Sequence, residues 1–66
     1  MQLPTTAMIR QLTDYESQIH NVNQASIKAF KHGQYERWRE LRGIATELRS
    51  EARTLEARYD KLLAAS

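Results

Sequence analysis

Residues 38–62 read WRELRGIATELRSEARTLEARYDKL, and their spacing decides the fold class. Trp38, Leu41, Ala45, Leu48, Ala52, Leu55, Tyr59 and Leu62 recur in an unbroken three-four alternation. Such a repeat averages about 3.5 residues, the period of one helix packed lengthwise on another. Upstream, Met8, Leu12, Tyr15, Ile19, Val22, Ser26 and Ala29 follow the same alternation. Between the two stripes stand Lys28, Lys31, His32 and Gly33. Cations at a helix carboxyl end oppose the macrodipole, and a following glycine takes the left-handed closing conformation without steric cost. The reading is therefore an all-α, antiparallel helical hairpin forming a single domain over 1–66. It has an N-terminal arm over 1–6, one helix over 7–32, a turn at 33–34 and a second helix over 35–64.

Two local features compete with that reading. Thr13-Asp14-Tyr15-Glu16 matches a capping box, which would start the first helix near Asp14. The apolar spacing running back through Leu12 and Met8 favours the earlier start. Gly43 interrupts a run of good helix formers and is read as an exposed, tolerated glycine, the rival being a close approach of another backbone.

The flanks of the second stripe set the pairing sense. One flank carries Arg37, Ile44, Glu51 and Arg58, the other Arg42, Arg49, Glu56 and Leu63. A parallel, in-register pair of such helices would set Arg37 against Arg42 and Glu51 against Glu56, both like-charge contacts. The first helix offers milder flanks in Gln11, Glu16, Gln18, Asn23 and Ala25. A short turn also demands antiparallel neighbours. Folding about Gly33 would set Met8 near Arg58, leaving Tyr59, Leu62 and Leu63 at or beyond the end of the first helix.

The chain has 66 residues, 41% of them hydrophobic and 27% charged, with no cysteine. At this size, apolar burial and the entropy of ordering nearly cancel, and a chain without disulfide or metal needs ideal helix packing or association. Ile9, Ile27, Phe30, Ile44 and Leu63 widen the stripe beyond a two-position seam, enough to cover more than one neighbouring helix. Completion as a four-helix bundle, or within a larger helical assembly, follows as the expectation.

No apolar run approaches the roughly 20 residues of a membrane span, and no basic-then-apolar leader is visible. A cytoplasmic or particle-associated protein is the resulting expectation. Glu16 and His20 share a helix face, yet no third ligand follows at metal-site spacing. Ser17, Ser26 and Ser50 lack a base and an orienting carboxylate around them. The expectation is a non-enzyme with no cofactor and no metal.

Interaction is the chemistry the sequence favours. Phe30, Tyr35, Trp38, Leu41, Leu48, Leu55, Tyr59, Leu62 and Leu63 are the expected protein-contact residues, with an aromatic anchor supplying affinity and a charged rim setting specificity. Around the turn, Lys28, Lys31, Arg37, Arg39 and Arg42 interleave with aromatics and could contact nucleic-acid phosphates while bases stack. The net charge of +2 lends that alternative little support. Like-charge pairs four residues apart, such as Glu36 with Glu40 and Arg49 with Arg53, suggest bands matched by charges on another subunit.

The plan resembles small two-helix proteins, including ROP-type dimeric hairpins that bind RNA and the short co-chaperones of type III secretion. The resemblance is architectural and implies self-association, an adaptor or a chaperone role. The functional expectation is a small subunit, adaptor or assembly factor, in a secretion machine or phage particle. An inhibitor of a host protein is a further alternative.

Overall fold

A computed structural model describes residues 5–65, which form two helices packed against each other: α1 over Thr5–Lys31 and α2 over Tyr35–Ala65. The helix α1 starts earlier than the sequence spacing predicts. Thr5 and Thr6 lie in its first turn rather than in an arm, and the helix passes through Asp14 without a break. The remainder of the expected arm, residues 1–4, lies outside the described residues. Helix α2 runs one residue past its expected end.

The turn is built as the Lys-His-Gly sequence requires. Gly33 has φ +74°, the left-handed value that only glycine adopts at little cost. Its N–H donates to the Phe30 carbonyl at 3.1 Å, and the Gln34 N–H donates to the Ala29 carbonyl at 2.9 Å. Those two bonds make a Schellman closure of α1. The Gln34 carbonyl then accepts from the Trp38 N–H at 3.0 Å. One residue thus seals the first helix and opens the second, so the turn spans 32–34. Lys28 and Lys31 occupy the last turn of α1, and Glu36 the first turn of α2. Each sign opposes its helix dipole.

Cross-helix bonds fix the antiparallel register. The Arg49 guanidinium donates to Asn23 Oδ1 at 3.2 Å. Nearer the open end, the Tyr59 hydroxyl donates to Gln11 Oε1, and the Tyr15 phenol lies beside Glu51. Tyr59 therefore sits within the hairpin, not beyond it. The physical reason is the register: Gln11, already inside the expected helix, pairs with Tyr59, which brings α2 four residues further along α1 than folding with Met8 near Arg58 would. Extending the Gln11–Tyr59 offset sets Met8 level with Leu62, and Met8 is buried.

The interior is thin. Among the described residues the buried hydrophobics are Met8, Ala29 and Ala45, and the buried polar residue is Ser26. Ser26, Ala29 and Ala45 bring small side chains to the seam near the turn, where they permit the helix backbones to come close. Ser26 Oγ donates to the Asn23 carbonyl at 2.8 Å, which satisfies the hydroxyl within its own helix. Gly43 faces open space, with nothing within 4 Å of where a Cβ would stand. It is the exposed glycine, not a point of close approach.

Candidate interaction surface

The expected contact residues divide into two sets. Trp38, Leu41, Leu48, Leu55 and Tyr59 are half-buried on the stripe of α2 that α1 covers. They hold the hairpin together. Phe30, Tyr35, Leu62 and Leu63 remain exposed despite that packing. Three more large aliphatic side chains join them: Ile9 at 64% exposure, Ile27 at 48% and Ile44 at 46%. In the sequence these three are visible only as a widening of the stripe, and no single-helix signal says which of them the partner helix will cover.

Seven-residue rows show how the exposed set is arranged. On α1, Ile9, Glu16, Asn23 and Phe30 are spaced by seven, as are Tyr35, Arg42, Arg49, Glu56 and Leu63 on α2. Residues at that interval lie on one helix flank. The Asn23–Arg49 bond and the Phe30–Tyr35 ring contact join the two rows on the same side of the hairpin. Ile27, four residues beyond Asn23 and three before Phe30, belongs to that side. Five of the exposed large hydrophobics (Ile9, Ile27, Phe30, Tyr35 and Leu63) therefore share one face. The opposite face is lined by Gln11, Gln18 and Ala25 on α1 and by Arg37, Ile44, Glu51 and Arg58 on α2. Ile44 is its exposed large hydrophobic.

At the turn the aromatics form a connected cluster. The Phe30 ring meets Tyr35 edge-on at 5.6 Å between centroids and lies tilted against Trp38 at 5.2 Å. Arg42 places its guanidinium carbon 5.1 Å from the Trp38 ring centre, a cation–π geometry. This arrangement changes the reading of the basic turn. Arg42 is engaged with the indole. Arg37 lies on the opposite flank of α2, and helix geometry at about 100° per residue sets Lys28, Lys31 and Arg39 on outward surfaces. The five cations are exposed, but they do not line one continuous stripe.

Electrostatics bear on one other group. Partial burial, and then the nearby Glu51 carboxylate, raise the Tyr15 phenol above its ordinary value of 10.0. The groove between Tyr15, Ser50, Glu51, Thr54, Leu55 and Arg58 is shallow and open to solvent. Among the described residues no three His, Asp or Glu side chains group as metal ligands, and no helix is long and apolar enough to cross a membrane.

Fold and surface together define a two-helix hairpin with one apolar-ended face. No protein-family model matches the chain, and comparisons with characterised proteins and with solved structures return no match.

Proposed function

We infer that the chain is a non-enzymatic protein–protein interaction module, a small subunit, adaptor or assembly factor that works within a larger helical assembly. The observation that carries this reading is the thinness of the interior. Among the described residues no large side chain is fully buried, while seven large hydrophobics stay exposed. The exposed area is 5496 Å², whereas a compact protein of 7.7 kDa exposes about 4,300 Å². The radius of gyration, 15.4 Å, likewise exceeds the roughly 11 Å of a compact chain of this length. A hairpin alone buries one stripe of each helix and leaves the hydrophobic contribution of the rest unused.

Helicity and urea unfolding followed from nanomolar to 100 µM chain test this. The expected result is incomplete helicity or a shallow, low-urea transition at nanomolar concentration, because the free chain lacks part of its core. A fully helical 7.7 kDa monomer with a cooperative transition at nanomolar concentration would overturn it.

A further inference from the structure

We propose that the apolar-ended face is a self-complementary surface that takes a second copy of this chain in two-fold, antiparallel fashion. The Ile9–Leu63 end of each copy covers the Phe30–Tyr35 end of the other. This proposal rests on the interaction reading above and specifies its partner.

The Asn23–Arg49 bond sets the offset on this face. Carried along the seven-residue rows, that offset sets Ile9 level with Leu63, Glu16 with Glu56, and Phe30 with Arg42. The face therefore reads, from the open end to the turn, as aliphatic, acidic, basic and aromatic. Ile9 and Phe30 lie 21 positions apart, about 32 Å along the helix. A two-fold axis midway between them exchanges the two ends. It sets the aliphatic pair Ile9 and Leu63 against the partner's aromatic cluster, and Glu16 and Glu56 against the partner's Arg49.

Charge makes the pairing specific. Within one hairpin Glu16 and Glu56 are two exposed carboxylates at one level, with Arg49 one step further along the same face. Two-fold exchange turns that arrangement into opposite-sign contacts, repeated on each side of the axis. Parallel stacking of two copies would oppose carboxylates with carboxylates. The other face lacks this pattern, since its α2 row carries Ile44 between Arg37 and Glu51 and its α1 row, Gln11, Gln18 and Ala25, carries no charge.

Extent also suits a second copy. Each chain exposes about 1,200 Å² beyond a compact protein of its mass, and pairing two copies through this face removes part of that excess from both. The face extends along a molecule 52 Å long and 16 Å wide, so the area is spread over the whole length of both helices.

Sedimentation of charge-exchanged chains tests the proposal, with helicity measured at each concentration. Wild type should be a dimer at 100 µM. Arg49→Glu and Glu56→Arg should each weaken it about tenfold or more, because every opposite-sign contact becomes a like-sign one. An equimolar mixture of the two variants should recover dimer to within about threefold of wild type, since in the mixed dimer one contact keeps a native Glu56 against a native Arg49 and the other joins the two substituted side chains with opposite signs. Ile44→Asp, on the other face, should leave the dimer intact. A wild-type dimer that ignores both charge changes, that is not recovered on mixing, or that is lost with Ile44→Asp would overturn this face while leaving the interaction reading in place. A poorly folded wild-type monomer at 100 µM would overturn the second copy as partner and leave an obligate partner of another kind. A fully folded monomer there would overturn both.

Discussion

Gly33 and Gly43 show what one residue type does in two environments. At Gly33 the backbone takes φ +74°, and its own N–H and that of Gln34 close α1. A Cβ there meets no atom but forces a left-handed conformation on an L side chain. Gly33→Ala should therefore cost about 1–2 kcal/mol. At Gly43 the backbone is helical and the Cβ position is open, so Gly43→Ala should stabilise by about 1 kcal/mol. Urea midpoints at one fixed chain concentration compare the two, and equal signs would refute the distinction. Tyr15 supplies a second single-residue consequence. Its phenol is raised by partial burial and by Glu51, so the folded state binds its proton more tightly than the unfolded chain does. That contribution to stability is complete below the ordinary tyrosine value. It is lost as pH rises through the higher folded value. Tyr15→Phe should accordingly lose less helicity than wild type between pH 9 and 12, measured by circular dichroism; superimposable profiles would show that the burial and the Glu51 contact do not matter.

Each helix is amphipathic, but its stripe is wider than its neighbour can cover. The inner rows, Trp38 to Tyr59 on α2 and Met8 to Ala29 on α1, meet in the seam. Near the turn that seam is made of small buried residues, Ser26, Ala29 and Ala45. Leu55 lies in the half-buried seam, at the level of Tyr15. Leu55→Asp removes a large apolar side chain from the seam and sets a carboxylate there beside Glu51, and should cost about 3 kcal/mol or more. For so small a chain that means loss of most helicity at micromolar concentration, and a variant with wild-type helicity would count against the seam. The outer rows were legible as charges and as scattered isoleucines, yet their meaning lies in their opposition. Ile9 gains a neighbour of like character only when α2 brings Leu63 to its level. Likewise Arg42, read from the sequence as a free cation near the turn, is spent on Trp38.

The whole chain is a rod, 52 × 16 × 10 Å. That shape has a direct thermodynamic meaning: the ratio of surface to interior is poor, and stability should depend on chain concentration or on a partner. Dilution and charge-exchange measurements address the same rod at two levels. The first asks whether its exposed apolar area is needed for folding, and the second asks whether the polarity along one face, aliphatic to acidic to basic to aromatic, matches a reversed copy of itself. The sequence anticipates helices, turn position and antiparallel sense, because heptad spacing and a glycine behind cations are local properties that act before any tertiary contact. It errs on Tyr59, whose place inside the hairpin depends on the offset between the two helices rather than on where α1 begins. The offset between helices, the burial of Met8, and the collection of five exposed hydrophobics on one side follow from tertiary packing. A flank becomes a face only when a second helix is set beside it at a definite register, and that register is held by contacts between residues 26 and 48 positions apart, Asn23 with Arg49 and Gln11 with Tyr59.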